Sequence, residues 1–365
     1  MKICFLISKF DCRQKGGGQV NILHLNNYYK EKGIDSFVLT NLSKGQKYFE
    51  NDNGMKIYRV KFGKRGYVKD ALDIIKRENV DIIHSFVCYP PAIRICFKSK
   101  LKLGAKVIFS LIGKIGEQQN PFLKLFTLLF SDKMTIMCKY GKKSFTSFPI
   151  LNKKYEYVPN GIFLDKFFVS KKKKNIILSV GRIHRQKDYV TLLCGFLNLQ
   201  PRFRNYKLVI VGSVDDKDYF EELISMIEND MTHIKDKVIF LSDISENELA
   251  RLYSEAKLFV LSTTHEMFPA VVLESMASGT PVIASANTGV PESVGDAGIL
   301  FDTGDCNQLG LIMERLLDDK TIWLGQTSKK LTYNEIVNKG LEHSRKFGFE
   351  NMADGYIKIY NMVKK

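Results

Sequence analysis

The sequence predicts an α/β protein with two doubly wound, parallel-sheet domains of the Rossmann type. Short apolar runs that are typical of strands alternate with helix-like segments from one end of the chain to the other. The chain has 365 residues, more than one hydrophobic core usually serves. The alternation forms two series of similar length, so we expect two domains, at 1–165 and 166–346.

Each predicted strand is a short apolar run bounded by polar or turn-forming residues. In the first half these runs are 3–7, 36–39, 56–60, 81–84, 106–110 and 134–137, and in the second half 176–180, 208–211, 238–241, 258–261 and 281–284. Helix-like segments fill the gaps, among them 270–278, which Gly279 and Pro281 end. The charged run 171–174 is predicted to be a solvated linker between the domains.

The composition is that of a globular protein, and we expect it to be kept in the cytoplasm. Hydrophobic residues make up 45% of the chain. No apolar run approaches the roughly 20 residues of a membrane span, and no signal peptide opens the chain. The seven cysteines include no C-x-x-C pair. We expect buried free thiols rather than disulfides or a zinc site.

The net charge of +16 belongs to one half of the chain. Residues 1–165 hold 29 Lys and Arg against 13 Asp and Glu, an excess of 29 − 13 = +16, whereas residues 166–365 hold 26 against 26. Such a one-sided positive field attracts anionic partners, including phospholipid surfaces, phosphorylated substrates and nucleic acid. Solubility alone is the alternative explanation.

Two glutamates, Glu266 and Glu274, lie eight residues apart beside a predicted strand and helix. Glu266 falls in the loop after the strand 258–261, and Glu274 falls in the early turns of the helix 270–278. Both side chains therefore belong to the carboxyl edge of a parallel sheet, where α/β folds bind ligands. A carboxylate accepts two hydrogen bonds at once, which suits neighbouring sugar hydroxyls. The spacing alone is also found on ordinary solvated helices.

Gly181, Arg182 and Lys187 directly follow the strand 176–180. A guanidinium binds phosphate through two parallel hydrogen bonds, and an ammonium acts as a point charge, so the pair can neutralise a diphosphate. A solvated loop is the alternative. Gly17 and Gly18 precede the first helix, where backbone N–H groups can meet an anion, although a loop without a ligand is an open alternative.

Two further turns carry candidate residues. Asn160 and Gly161 favour a tight turn, which serves either structure alone or a ligand contact. Gly289, Pro291 and Glu292 follow the last predicted strand. There the glycine allows close backbone approach to a ligand, while Glu292 suits the start of the next helix.

Taken in order along the chain, these motifs resemble the retaining GT-B glycosyltransferases of family 4. The order is a glycine-rich first loop, Asn160-Gly161, G-R-x4-K, E-x7-E, G-x-P-V and G-x-P-E. The resemblance runs from Met1 to the C terminus and is most specific between residues 160 and 294.

The resemblance implies the GT-B fold, in which two Rossmann-like domains face an interdomain cleft. It implies an acceptor domain at 1–165, to which a C-terminal helix at 347–365 returns, and a donor domain at 166–346. By this likeness Arg182 and Lys187 would hold the donor diphosphate, Glu274 the ribose and Glu266 the transferred sugar. The set of implied donor contacts is Gly17, Gly18, Gly181, Arg182, Lys187, Glu266, Phe268, Pro269, Ala270 and Glu274, with Arg182, Lys187 and Glu266 as the catalytic residues.

The chain departs from the family pattern at several positions. Ile112 stands where many relatives place a histidine, Met267 stands where they often have glycine, and Pro269 offers no N–H to a sugar. His84 is a candidate to replace that histidine at the acceptor side, and a buried core histidine is the other interpretation. With Asn160 it forms the candidate acceptor or cleft set. The identity of the sugar stays open.

The expected reaction is a metal-independent, configuration-retaining sugar transfer with no cofactor. The donor is expected to be a UDP-sugar or another nucleoside-diphosphate sugar. No metal is expected, because fixed cations aimed at the leaving phosphate lower the barrier in its place. Asp216 and Asp218 open a polar helix and are interpreted as surface residues, not a metal motif. The expected acceptor is a glycan or lipid-linked glycan of cell-surface polysaccharide, capsule, lipopolysaccharide or glycoconjugate synthesis.

The segment 120–143 combines an apolar stretch with lysines. It is interpreted either as core or as an interfacial helix that seats the first domain on the inner face of the cytoplasmic membrane. Two other functions stay open: a nucleotide-sugar 2-epimerase of the same architecture, and a basic protein that binds nucleic acid or other anions. No nucleic-acid motif supports the second, and we expect no nucleic-acid partner.

Overall fold

The computed structural model describes residues 1–10, 17–111, 121–145, 149–200, 202–323 and 330–364. The chain divides into two compact units, Met1–Pro159 with Met352–Lys365, and Asn160–Asn351. The segment 160–165, placed in the first domain by the sequence analysis, lies in the second unit. There Ile162 forms an isolated parallel bridge with Gly348, and the ring of Phe163 stacks on Phe349 at a centroid distance of 4.5 Å.

The first unit contains, in its described residues, an eight-stranded sheet. Its strands in chain order are β1 (Lys2–Leu6), β2 (Asp35–Asn41), β3 (Phe49–Asp52), β4 (Met55–Val60), β5 (Ile82–Ser85), β6 (Lys106–Leu111), β7 (Lys133–Ile136) and β8 (Tyr155–Tyr157). The spatial order is β3-β4-β2-β1-β5-β6-β7-β8, and every neighbouring pair is parallel except β3 with β4. The helices are α1 (Gly17–Glu31), α2 (Tyr67–Arg77), α3 (Pro90–Leu103), α4 (Pro121–Phe130) and α5 (Lys139–Phe145).

The C-terminal helix, α13 (Phe349–Lys364), packs onto this sheet from Met352 onwards. Its buried face presents Tyr356, Ile359 and Tyr360. The Tyr28 hydroxyl donates to the Asp354 carboxylate at 3.0 Å, and Lys364 pairs with Asp81 at 3.2 Å. Apolar burial and these polar contacts together hold the end of the chain against its beginning.

The second unit contains a six-stranded parallel sheet in its described part. The strands are β9 (Ile176–Val180), β10 (Lys207–Val211), β11 (Val238–Leu241), β12 (Leu258–Leu261), β13 (Val282–Ser285) and β14 (Ile299–Phe301), in the spatial order β11-β10-β9-β12-β13-β14. The helices are α6 (Tyr189–Leu199), α7 (Lys217–Asn229), α8 (Glu246–Glu255), α9 (Ala270–Ala277), α10 (Val290–Val294), α11 (Cys306–Leu317) and α12 (Tyr333–Ser344). A small antiparallel pair, β15 (Ile322–Trp323) and β16 (Lys330–Leu331), completes it.

Two Rossmann-like parallel sheets were predicted, and this prediction is confirmed. Strands β9, β11 and β12 have the predicted bounds, because each is a continuous apolar run. Strands β9 and β12 are buried inside the sheet, whereas β11 is a half-buried edge strand. The sequence analysis missed β3, β8, β14 and the β15–β16 pair. Strand β3 is an exposed edge strand with the sequence FEND, so it carries no apolar signal. Its hairpin turn, Asn53-Gly54 with φ of 48° and 86°, did leave a readable signal.

Two expectations about cysteine and lysine need correction. Cys194 and Cys306 form a disulfide with their Cα atoms 5.6 Å apart, because α6 and α11 pack side by side; their 112-residue separation hides this from the sequence. Cys4, Cys88, Cys96 and Cys138 are buried without a disulfide, as expected.

The run 171–174 is not a solvated linker between the units. Lys173 donates to the Ser254 carbonyl and the Thr280 hydroxyl, which ties the run to the second unit.

Helix α4 is the part of the segment 120–143 that precedes strand β7. It buries Thr127 and Leu128 and exposes Phe122 by 83% and Leu129 by 56%. The described residues contain no helix long and apolar enough to cross a membrane.

Candidate functional site

The candidate site lies where the strand order of the second sheet reverses. Strand β9 pairs with β10 on one side and with β12 on the other, so the loops after β9 and β12 diverge at the carboxyl edge. Arg182 and Lys187 lie in the loop after β9, and Glu266 lies in the loop after β12. Crevices at such switch points are the usual ligand sites of open parallel sheets.

Lys187 and Glu266 form an ion pair in this crevice. Lys187 Nζ lies 2.5 Å from Glu266 Oε1, and the two side chains are only 13% and 23% exposed. A Cβ atom at Gly181 would lie 2.9 Å from Lys187 Cε, so the glycine makes room for the lysine. The resemblance assigned Lys187 to the donor diphosphate and Glu266 to the transferred sugar. The structure brings these two side chains into contact.

Arg182 is the second cation of the crevice and is reachable from solvent, with a side chain that is 63% exposed. Its guanidinium pairs with Asp215, which follows β10. Close backbone approach makes this arrangement possible, because a Cβ atom at Gly212 would lie 2.0 Å from the Gly181 carbonyl oxygen. The sequence analysis missed Asp215, although its position just beyond a strand was a usable signal.

The backbone of Glu266 is held by the loop after β13. The Thr288 hydroxyl donates to the Glu266 carbonyl at 2.5 Å and accepts from the Glu266 N–H at 3.0 Å. The Gly289 N–H donates to the same carbonyl at 2.9 Å. Gly289, expected to allow close approach to a ligand, therefore approaches Glu266. Thr288 has φ of 42°, which is unusual for a β-branched residue, and the sequence carried no signal for it.

Glu274 lies in α9 and is half-buried as a residue. The buried Tyr253 hydroxyl donates to Glu274 Oε2 at 2.8 Å. Burial raises the pKa of this carboxyl, and the Tyr253 hydrogen bond and the Lys166 charge offset only part of that rise. The tyrosine therefore fixes one of the two carboxylate oxygens. Tyr253 was not foreseen because it lies 21 residues away on α8.

The loop before α9 contains the residues expected against the transferred sugar. Phe268 is buried, and its ring lies 5.3 Å from that of Phe347. The Phe268 carbonyl accepts a hydrogen bond of 2.9 Å from Asn160 Nδ2. Pro269 is the N-cap residue of α9, and Ala270 begins the helix. Asn160 thus acts here by fixing this loop.

The expectation that His84 lines an acceptor site is wrong for this structure. His84 has no exposed surface. Its Nδ1 lies 2.6 Å from the Tyr360 hydroxyl, and its Nε2 lies 2.7 Å from Ser110 Oγ. Burial lowers the pKa of the ring to about 3, so it is neutral at pH 7. The alternative interpretation, a satisfied core histidine, is the one observed.

The remaining candidates fall at helix starts or outside the described residues. Gly17 and Gly18 lie in the first turn of α1, where N–H groups have no intrahelical acceptor. Glu292 lies in the first turn of α10. Asp216 accepts from the Tyr219 N–H at 3.0 Å as the N-cap of α7, which agrees with the surface interpretation. Ile112 lies outside the described residues. Within them, no cluster of three His, Cys, Asp or Glu side chains is arranged to hold a metal ion.

Residues 163–336 match the family described as "Glycosyl transferases group 1". The chain is 28% identical over 226 residues to the alpha-1,3/1,6-mannosyltransferase alg-2 of Neurospora crassa, covering 55% of this chain and 46% of that protein. It is 28% identical over 190 residues to the O-antigen chain mannosyltransferase B of Escherichia coli, covering 51% and 45%. The chain thus spans about half the length of these curated relatives.

Among solved structures, the Anabaena protein HepE in complex with UDP-glucose superimposes with a TM-score of 0.77 at 15% identity, covering 99% of this chain and 100% of that one. At this identity the likeness shows the fold alone. The GT-B fold implied by the resemblance is confirmed.

Proposed function

Because residues 163–336 belong to the glycosyl transferases group 1 family, we propose that this protein is a glycosyltransferase. It transfers a sugar from a nucleoside-diphosphate sugar, with UDP as the expected nucleotide, to a glycan or lipid-linked acceptor in cell-surface polysaccharide synthesis in the cytoplasm. The observation that carries this proposal is the contact between the loops after β9 and β12, where Lys187 pairs with Glu266 and Arg182 lies in the same loop as Lys187.

The two cations of these loops suit a sugar diphosphate, because its phosphates can replace the carboxylates that now pair with them. Two cations and one carboxylate lie in the two loops that flank the strand reversal, and each cation is already paired with a carboxylate, Asp215 or Glu266. An incoming diphosphate would take over these cations and release the Glu266 carboxylate for sugar hydroxyls. Glu274, with one oxygen fixed by Tyr253, would accept from the ribose hydroxyls. The HepE complex with UDP-glucose supports this type of donor.

The proposed chemistry is a retaining transfer without a metal. The bond between sugar C1 and the diphosphate oxygen breaks while the acceptor hydroxyl oxygen bonds to C1 on the same face. The hydroxyl proton passes to the departing phosphate oxygen, so atoms and charges balance. Negative charge grows on that phosphate in the transition state, where Arg182 and Lys187 stabilise it.

The test is a panel of nucleotide sugars with the purified protein, scored for release of nucleoside diphosphate. We expect Arg182→Ala to lower turnover by 10²- to 10³-fold, the effect typical of removing one such group. Arg185→Ala is the matched control, because this exposed arginine lies in the same loop but pairs with Asp216 and Glu222. Near wild-type turnover in Arg182→Ala would contradict the mechanism, and conversion of the donor to its epimer without release would favour an epimerase.

For the acceptor side, we propose that α4 seats the first unit on an anionic membrane. Phe122 and Leu129 are exposed on this helix, and the +16 excess of the chain lies in residues 1–165. Phe122→Ser with Leu129→Ser should abolish co-sedimentation with phosphatidylglycerol vesicles, whereas Leu311→Ser, at an exposed leucine of the second unit, should not. Equal sedimentation of the unmodified protein and both variants would contradict this membrane contact. Vesicle binding as strong at high salt as at low salt would also contradict it.

A further inference from the structure

A second cavity lies in the first unit, at the edge of its sheet. It has a volume of about 810 Å³, within the usual range for small-molecule sites. Its walls come from the start of β3, the carboxyl end of β4, the loop 61–66 and helix α2. Because β3 runs antiparallel to β4, its first residues lie at the edge where the parallel strands end. That edge is the ligand-binding edge of such sheets.

Two buried polar side chains in the wall of this cavity have an atom without a partner. Arg59 is 3% exposed and donates to the Lys47 carbonyl at 3.1 Å and the Glu50 carboxylate at 2.8 Å, yet its Nε has no acceptor. The Tyr67 hydroxyl, in a residue that is 7% exposed, also has no partner. Leaving a buried polar atom unpaired costs about 1–3 kcal/mol. Both atoms have almost no exposed surface, so they are unpaired polar groups inside the wall and not contacts that open onto the cavity.

The mouth of the cavity is positively charged. Lys61, Lys64 and Arg65 are exposed in the loop after β4, and none of them pairs with a carboxylate among the described residues. The lining contains five cations (Arg59, Lys61, Lys64, Arg65, Arg77) and two carboxylates (Asp70, Asp73), a balance of 5 − 2 = +3. The Glu50 carboxylate lowers this to +2 by pairing with Arg59. The balance favours an anionic ligand.

The opposite wall of the cavity is aromatic. Tyr48 is 71% exposed and Phe49 is 48% exposed, although exposed aromatic side chains are costly in water. The Phe49 ring lies 5.0 Å from the Tyr58 ring, and the Arg77 guanidinium lies 5.2 Å from the centroid of the same Tyr58 ring. An aromatic face is electron-rich and packs well against the C–H groups of a flat, partly apolar ring.

We propose that this cavity binds a sugar that carries a phosphate or a carboxylate, as part of the glycan acceptor. The anionic group lies against Lys61, Lys64 and Arg65, and the sugar ring lies against Tyr48 and Phe49. The assignment to the acceptor rests on the proposed glycosyltransferase function, whereas the binding of an anionic sugar does not.

The test measures binding to the full-length protein by titration calorimetry at low and moderate salt. The probes are mannose 6-phosphate, a glucuronic-acid disaccharide, the matching neutral sugars, inorganic phosphate, and phosphatidylglycerol vesicles. The variant replaces Lys61, Lys64 and Arg65 with glutamine. The matched control replaces Lys69, Lys98 and Lys102, three exposed lysines of the same unit that line a different surface depression. Both variants lose three positive charges, so a long-range charge effect would weaken binding equally in both.

We expect the acidic sugars to bind at least ten-fold more tightly than the neutral sugars and than phosphate alone. The loop variant should lose at least ten-fold in affinity, while the control variant stays within two-fold. Tyr48→Ala should weaken acidic-sugar binding and leave phosphate binding unchanged. Equal losses in the two charge variants, equal binding of phosphate and sugar phosphate, or binding to vesicles alone would overturn the proposal.

Binding of UDP to each variant is measured alongside, because it depends on the second unit. Normal UDP binding with no acidic-sugar binding would overturn the cavity proposal and leave the glycosyltransferase proposal standing. Acidic-sugar binding in a protein that releases no nucleoside diphosphate from any donor would overturn the glycosyltransferase proposal and leave the cavity proposal standing.

Discussion

The Lys187–Glu266 ion pair should stabilise the empty protein as well as serve the donor. The perturbation is a double-mutant cycle with Lys187→Met, Glu266→Met and the double variant. A hydrogen bond between charged groups contributes about 1.5–3 kcal/mol, and an exposed ion pair contributes about 0–1 kcal/mol. With side chains 13% and 23% exposed and a separation of 2.5 Å, this pair lies near the lower end of the first range. We expect a coupling energy of about 2 kcal/mol.

The assay is urea unfolding followed by tryptophan fluorescence. Trp323, the one tryptophan of the chain, belongs to the second unit, which also holds the pair. Each single variant should lose about 2 kcal/mol, because it leaves a largely buried charge without its partner. The double variant should lose clearly less than the sum of the two.

The control cycle uses Lys166→Met and Glu246→Met in the same unit. That pair is 2.8 Å long, but its side chains are 37% and 73% exposed, so its coupling should stay below about 0.5 kcal/mol. Saturating UDP should reduce the Lys187–Glu266 coupling, because the diphosphate competes for the lysine. A coupling as small as that of the control would refute the reasoning, since the pair would then contribute no more than two solvated charges.

Three further predictions concern packing, the ribose contact and pH. Gly212→Ala should lower the free energy of unfolding by about 1–3 kcal/mol, because its Cβ would lie 2.0 Å from a carbonyl oxygen. Gly355 lies inside α13, and its Cβ would lie 3.5 Å from Val158, so Gly355→Ala should raise the free energy of unfolding by about 0.5–1 kcal/mol. Urea denaturation measures both, and equal effects of the two variants would contradict the packing argument. Glu274→Gln should weaken UDP binding at least ten-fold and 2′,3′-dideoxy-UDP binding by less than two-fold in calorimetry, and an equal loss for both ligands would remove the ribose role. Burial by itself raises the pKa of Glu78, but hydrogen bonds from Lys2, Tyr58 and Lys56 lower this pKa to about 2. The ionised carboxylate therefore contributes about 3 kcal/mol to the free energy of unfolding above pH 4.5, and this contribution disappears as the pH falls towards 2. Glu78→Gln should therefore flatten stability over that interval, and identical pH profiles of the two proteins would disprove the linkage.

Much of the architecture was predictable because burial leaves a local signal. A strand covered on both faces is a short continuous apolar run, which is why β9 and β12 were predicted to the residue. The edge strand β11 is only half-buried, but its residues are also a continuous apolar run. The same signal fails for β3, which lies exposed at an edge and is held by backbone pairing with β4. Backbone hydrogen bonds do not depend on side-chain type, so the sequence FEND carries no strand signal. Only the Asn53-Gly54 turn that follows it indicates a hairpin.

The candidate site was predictable by residue type and by position after a strand. Arg182, Lys187 and Glu266 follow strands β9 and β12, whose carboxyl ends share one edge in any parallel sheet. For His84 the sequence left two interpretations open, an acceptor-side residue and a core histidine. A histidine after a strand can point into the core or towards solvent, and the packing of α13 decides between them by placing Tyr360 at 2.6 Å.

By itself, the sequence determined the two parallel sheets, the chemical character of the loops at their carboxyl edges and the charge difference between the two halves. These follow from local patterns of burial and composition. Only the tertiary structure decided that Lys187 contacts Glu266, that Thr288 fixes the Glu266 backbone and that Asn160 holds the Phe268 carbonyl. These contacts join residues 79, 22 and 108 positions apart, and no local periodicity records which distant side chains a fold brings within hydrogen-bond distance.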